Sequence, residues 1–347
     1  MIFKLFGFSF SSFFFSLILI SPLYSQIDWR INSEVGIFRS SGSGILKEKG
    51  FLSRLDGFLK YKYEGDKRNA SLSLRARPEF YNFDQPFNSV KLKAEGDYFQ
   101  FEETFNWGIN VTSQKIFFND NFFDLNYDVF TLIGDASGFS IGDLILNTSA
   151  GYAYQVIKGE GEYNLDLFFT DLKLFNPLSS DIKFGYGLYL ERFFIRNEIH
   201  QQNLLPRYKN NGFRFGPQVS VNYIRDFILN IDYRFLFHES GFIQYFSYEH
   251  WIRIVAGKIF FTDWSAFLLA DYNSFFFRKA ENYIEGVTPL YTPLNLENRI
   301  YLKIAYEISE VFELYTKGGF FKDNLYEDKF SLEGWNAMIG VELSGGM

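Results

Sequence analysis

The chain has 347 residues, no cysteine, and 34 basic against 41 acidic side chains. The absence of cysteine excludes disulfides, thiolate chemistry and cysteine-based metal sites, and the acidic balance argues against nucleic acid as a partner. Aromatic residues make up 21% of the chain, and polar residues are interleaved with apolar ones. Helical membrane proteins need about 20 consecutive apolar residues per span, and no such run exists past residue 25.

Residues 1–25 have the layout of a secretory signal peptide. Lys4 precedes an apolar stretch from Phe8 to Ile20, and the helix breaker Pro22 and the small residue Ser25 follow. This layout predicts cleavage after Ser25, with residues 26–347 as the mature chain. A retained membrane anchor is the alternative, but the stretch is short for a span.

The segment NASLSLRARP, residues 69–78, shows a pattern that recurs along the chain. Its even positions are Ala or Leu as far as Ala76, whereas its odd positions are Asn, Ser and Arg. The same alternation returns at 182–191, 229–238, 299–307 and 335–343. Because successive side chains of a strand point to opposite sides, each stretch predicts a strand with one apolar and one polar face. The chain is therefore expected to be all-β.

The alternation and the turn residues between the stretches predict about sixteen strands, with fourteen as the nearest alternative. The candidate strands are 27–39, 50–63, 69–80, 89–100, 104–117, 127–136, 145–157, 161–175, 181–196, 212–224, 227–237, 242–258, 263–276, 295–307, 311–321 and 331–344.

The connections between these strands differ in length in a regular way. The long ones, near 40–49, 81–88, 118–126, 197–211, 277–294 and 322–330, all follow odd-numbered strands. Most short ones follow even-numbered strands. An outer-membrane barrel has tight turns on the periplasmic side and longer loops outside. A soluble sandwich has no reason to sort its loops in this way.

With these features, residues 26–347 resemble bacterial outer-membrane β-barrel proteins. The architecture is porin-like, and the resemblance identifies no particular family. It implies a single-domain, antiparallel, up-and-down transmembrane barrel in the bacterial outer membrane. Its implied partners are outer-membrane lipid and the barrel insertion machinery, while a periplasmic or surface partner stays open.

Charged residues on the polar parity are candidates for lining the lumen of such a barrel. They carry both signs, so they would either line a water-filled pore or pair across it and plug it. The candidates are Arg75, Arg77, Lys91, Lys93, Glu95, Asp97, Asp232, Arg234, Lys303, Glu307, Glu313 and Lys317.

A short motif, residues 237–241 (FHESG), suggests an enzymatic alternative. It resembles the His-x-Ser element of outer-membrane phospholipase A and lipid A deacylases, which implies Ser240 as nucleophile and His238 as base. Gly241 stands where those families usually have Asn, and Ile252 stands where the residue that orients the histidine is expected. Glu249 and His250 lie near that position without matching it.

Metal binding is not expected from this sequence. The three histidines, His200, His238 and His250, lack the spacing of a helical zinc site. No cofactor is predicted. The leading functional hypothesis is a passive small-solute channel or structural barrel that is not an enzyme. The alternatives are a lipid hydrolase using His238 and Ser240, or the barrel anchor of a secretion or surface-assembly complex.

Overall fold

The computed structural model describes residues 25–42, 48–82, 88–118, 127–157, 163–197, 211–240, 243–276, 298–324 and 331–346. Among these residues, no helix is long and apolar enough to cross a membrane. They form sixteen strands: β1 (Ser25–Gly42), β2 (Glu48–Glu64), β3 (Arg68–Tyr81), β4 (Ser89–Phe101), β5 (Asn106–Phe118), β6 (Tyr127–Ile141), β7 (Leu144–Ile157), β8 (Tyr163–Pro177), β9 (Ile182–Asn197), β10 (Asn211–Ile224), β11 (Ile228–Ser240), β12 (Ile243–Phe260), β13 (Trp264–Phe276), β14 (Asn298–Ser309), β15 (Phe312–Asn324) and β16 (Ser331–Gly346).

The strands close into one barrel. Each strand pairs antiparallel with the next, and β16 returns to pair with β1, with Asp28 opposite Gly346 and Gly42 opposite Leu332. Closure leaves no unpaired sheet edge. The predicted all-β antiparallel barrel is confirmed, and the ring has sixteen strands rather than fourteen. The predicted signal peptide lies, except for Ser25, outside the described residues.

The two ends of the barrel differ in the length of their connections. At one end, the turn end, the connections are 65–67, 102–105, 142–143, 178–181, 225–227, 261–263 and 310–311. At the other end, the loop end, most are longer and reach 277–297. The connection 241–242 is the short one at that end, because β11 and β12 keep pairing until Ser240 lies opposite Ile243.

Two prolines fall at gaps in the hydrogen-bond ladder. Pro217 of β10 lies opposite Leu188 of β9, whereas the pairing of β10 with β11 skips Gly216 and Pro217. Pro78 of β3 shows the same arrangement, with the gap towards β2. Proline has no N–H to donate, so each proline lies where a ladder bond is already missing.

One predicted strand ends too early. The sequence predicts that β6 stops at 136, but the strand continues to Ile141 across a register shift between Ala136 and Phe139. Gly138 lies at this shift with φ of 90°. Glycine adopts this conformation without steric cost, so the strand passes the irregularity and continues.

Burial follows the alternation along each strand. In β10, residues 212, 214, 216, 218 and 220 are buried, and residues 213, 215, 217 and 219 are exposed. The buried parity faces inwards, because its ion pairs join strands that are not neighbours. Arg234 of β11 reaches Asp171 of β8 at 2.6 Å, for example. Side chains whose strands are three positions apart in the ring converge only on the concave side of the wall, the inner face.

Candidate functional site

The outer face of the barrel is apolar and exposed. Leu74 of β3, Leu188 of β9 and Ile339 of β16 have exposed fractions of 51%, 52% and 62%. Large aliphatic and aromatic side chains of this parity recur on strands all around the ring. Soluble proteins place such residues inside, so this barrel has the opposite arrangement.

Aromatic side chains gather where the outer face meets the turn end. Phe227, Phe260 and Trp264 are about two-fifths exposed, and Phe261 projects from the turn 261–263 with 89% exposed. Tyr306 packs on Trp264, with ring centroids 5.0 Å apart. Rings at this level suit the boundary between lipid headgroups and hydrocarbon.

These observations define the class of protein. Monomeric soluble proteins rarely expose apolar patches larger than a few hundred Å², whereas here the apolar surface encircles the molecule. A closed strand ring also pairs its backbone polar groups internally, as a hydrocarbon environment requires. The chain is a transmembrane β-barrel of the bacterial outer-membrane type.

The inner face carries charges that are paired along the wall. The predicted lumen residues share the parity of this face, and those with ion pairs are joined as follows: Arg75–Asp56, Arg77–Glu79, Lys91–Glu79, Lys93–Glu95, Lys173–Asp232, Arg234–Asp171, Lys303–Glu313, Lys303–Glu342 and Lys317–Glu34. Asp97 accepts hydrogen bonds from Ser71 and Asn110. Glu307 lies exposed close to the turn end.

A buried network on β1, β2 and β3 was not foreseen from the sequence. Arg54 lies between Glu34, at 2.9 Å, and Glu79, at 3.0 Å, and all three side chains are less than a tenth exposed. Tyr315 donates a hydrogen bond to Glu34 at 2.9 Å. Buried charges are tolerated when they are paired and hydrogen-bonded in this way.

A second buried network lies on the opposite part of the wall. Arg214 of β10 makes two bonds to Glu191 of β9, at 3.0 and 2.7 Å, and two to Glu249 of β12, both at 2.9 Å. Asn273 of β13 also donates to Glu249. The cluster combines residues of four strands, and β11 between them contributes none of these bonds, so alternation within one strand gives no signal for it.

A third group combines charge and aromatic stacking. The Arg234 guanidinium lies 4.3 Å from the ring centre of Tyr189 and 4.5 Å from that of Trp251. It also binds Asp171 and the side-chain oxygen of Gln218. Stacking between two rings adds cation–π attraction to the ion pair and holds the planar group in one orientation.

The inner face is packed more closely towards the loop end. Leu52, Phe193 and His238 are buried there, whereas Phe99 and Ile259, near the turn end, are 36% and 67% exposed. Inner-face side chains near the turn end are therefore less covered by their neighbours.

The candidate catalytic pair, His238 and Ser240, lies at the loop end of β11. His238 is buried on the inner face, with its ring 5.4 Å from that of Phe193. The pairing of β11 with β10 is regular through His238 and Ser240, so both residues keep the inner parity, and the extra residues of the register shift lie in β12. Glu249 is bound to Arg214 on the inner face, and His250 bonds Tyr233 on the outer one. This geometry gives no support to the lipid hydrolase hypothesis.

The described histidines also do not converge on a metal. His238 and His250 lie on opposite faces of the wall, and His200 falls outside the described residues. Within the described ranges, no group of three or more histidine and carboxylate side chains is arranged to hold a metal ion.

No family model and no curated protein matches this chain. The solved structures to which it is similar include three bacterial proteins. The toluene transporter TodX of P. putida is 10% identical, with a TM-score of 0.37 over 94% of this chain and 90% of that one. OpdQ of Pseudomonas aeruginosa is 7% identical, with a TM-score of 0.40 over 93% and 98%. OccAB3 of Acinetobacter baumannii is 9% identical, with a TM-score of 0.44 over 93% and 99%.

Proposed function

We propose that this barrel is a passive channel for small hydrophilic solutes across the outer membrane. The observation that carries the proposal is a closed ring of sixteen strands whose inner face is charged and partly exposed to solvent. Sixteen strands about 4.8 Å apart, tilted by about 40°, enclose a backbone diameter of about 30 Å. Side chains projecting from the wall do not fill that width, and barrels of this size leave an aqueous channel.

The charges of the inner face suit water rather than a dry core. Lys93 and Arg75 are each 38% exposed although both are ion-paired, and Asp232 is 41% exposed beside Lys173. Charges that stay in contact with water avoid the desolvation cost of burial, and charges of both signs are usual along a water-filled pore.

Conductance across a planar lipid bilayer tests this proposal. We expect refolded protein to add discrete conductance steps in KCl. The chain has no cysteine, so a single introduced cysteine is the only target for a bulky, charged thiol reagent. The reagent should lower the conductance of Asp232→Cys, whose side chain lies on the inner face.

The adjacent substitution Ile231→Cys is the matched control, because residue 231 lies on the outer face. Its conductance should not change when the reagent is added. Absence of conductance steps from folded protein would reject the channel and favour a closed structural or anchoring barrel. Equal sensitivity of both variants would mean that the current does not pass through the barrel.

A further inference from the structure

We propose that four cations on β3 and β4 form a binding station for small anionic solutes inside the channel. The four are Arg75, Arg77, Lys91 and Lys93, called the cation patch below. The inference rests on the proposed channel function for the route by which a solute reaches the patch. It adds the class of solute that the channel favours.

The strand register places like charges directly opposite each other. Arg75 lies opposite Lys93, and Arg77 lies opposite Lys91. Cβ atoms of directly opposite residues are about 5 Å apart, and like charges at that distance destabilise a sheet. Two such pairs in succession are therefore unfavourable for pairing between β3 and β4. The two successive pairs concentrate four positive charges on one small part of the inner face.

The acids that offset this repulsion lie beneath the cations. Glu79, which pairs with Arg77 and Lys91, has a side chain only 4% exposed, and Asp56, which pairs with Arg75, is 8% exposed. The cations themselves are 24–38% exposed. Glu95, the partner of Lys93, is the one paired acid that is also accessible, at 29%. The surface that this wall presents to the lumen is therefore mainly positive.

The composition of the patch indicates its ligand. Arg75 uses Nε and Nη2 on Asp56, and Arg77 uses Nε and Nη2 on Glu79, so each guanidinium keeps its other N–H donors for an anionic oxygen. The two ammonium groups add point charges. Small carboxylates and phosphates share this chemistry. Citrate and inorganic phosphate are therefore used as separate probes, one for each class of anion.

The variant Lys91→Gln/Lys93→Gln tests the patch with little disturbance of the fold. Glu79 keeps Arg54 and Arg77 as partners when Lys91 is removed, and Glu95 is accessible to water when Lys93 is removed. Lys91→Arg/Lys93→Arg preserves the charge at the same positions. Arg39→Gln/Lys49→Gln removes two charges from exposed residues of the outer parity near the loop end, where Arg39 lies opposite Lys49.

Reversal potentials in a KCl gradient give the first measurement. A charge about 6 Å from a permeating ion in water changes its local concentration about two- to threefold after screening. We expect the chloride-to-potassium permeability ratio to fall by at least that factor in Lys91→Gln/Lys93→Gln. The ratio should stay at the wild-type value in both control variants. An unchanged ratio in the glutamine variant would overturn the anion station.

Chemical labelling gives a second measurement that does not require conduction. Folded wild-type protein is treated with an amine-reactive reagent, with and without citrate or inorganic phosphate, and the modified lysines are identified by mass spectrometry. Lys91 and Lys93 should be protected by at least one anion. Lys173 of β8 and Lys183 of β9, which lie outside the cation patch, should not be protected. Equal labelling with and without both anions would also reject the station. If the protein showed no conductance but an anion protected Lys91 and Lys93 from labelling, the channel would be rejected and the binding site retained.

Discussion

At the scale of single residues, Arg214 is the least exposed of the charged residues in the described part of the chain. Its side chain is 1% exposed, and the carboxylates of Glu191 and Glu249 that hold it are 1% and 3% exposed. Desolvating three charges is costly, and the bidentate bonds offset that cost only while all partners are present. Removing Arg214 leaves two buried carboxylates without their shared cation.

We predict that Arg214→Gln lowers the free energy of unfolding by about 3–5 kcal/mol, because Glu191 and Glu249 then lose their shared cation. Urea titration of the protein folded in lipid vesicles measures this value. Adding Glu191→Gln and Glu249→Gln to Arg214→Gln should restore most of the loss, because the remaining buried groups are neutral.

Arg225→Gln is the control for this prediction. Arg225 pairs with Asp181 at a turn and is 68% exposed, so its removal should cost less than about 1 kcal/mol. If Arg214→Gln lowered the free energy of unfolding as little as Arg225→Gln does, the buried cluster of Arg214, Glu191 and Glu249 would not stabilise the barrel wall.

At the scale of the strands, alternation decides which solvent each side chain meets. Ile231 lies opposite Val221 and Ile254, while Asp232, next along β11, faces the wall charges inside. The same two-residue period runs through the other strands. Each strand therefore presents one row to hydrocarbon and one to the lumen.

We expect Ile231→Arg to hinder folding into membranes and Asn230→Arg to be tolerated. The first places a charge against hydrocarbon, at a cost of about 2–4 kcal/mol near the midplane. The second places the same charge on the inner face. Heat-modifiable gel mobility after folding into vesicles measures both variants. Comparable folding yields for the two would mean that the faces are assigned the wrong way round.

The strands were also the part of the fold that the sequence predicted best. Period-two alternation is a local signal, so the sixteen strands were placed within a few residues of their observed ends. Where local geometry departed from the ideal, the predictions were wrong or incomplete. Gly138 carried β6 beyond residue 136, across a register shift that the alternation did not indicate.

The wall networks show the limit of this reasoning. Arg214 and Glu249 are 35 residues apart along the chain, and Lys317 and Glu34 are 283 apart. Their contacts depend on strand register and barrel closure together, which no single stretch of sequence specifies. The sequence indicates that the inner parity is charged, but not which acid lies beneath which base.

At the scale of the whole molecule, the account depends on the apolar outer face meeting lipid. A second protein layer over this face would make the chain soluble without detergent, whereas a single-layer barrel needs lipid to cover it. The described strands form one closed ring, and Leu74 in β3 has 51% of its surface exposed.

Refolding with and without lipid tests this claim most directly. Residues 26–347 are denatured, and the denaturant is removed either in buffer alone or with lipid vesicles. We predict aggregation in buffer, and a β-rich, protease-resistant form in vesicles, followed by circular dichroism and limited proteolysis. A soluble monomer that melts cooperatively in buffer without detergent or lipid would contradict the membrane barrel.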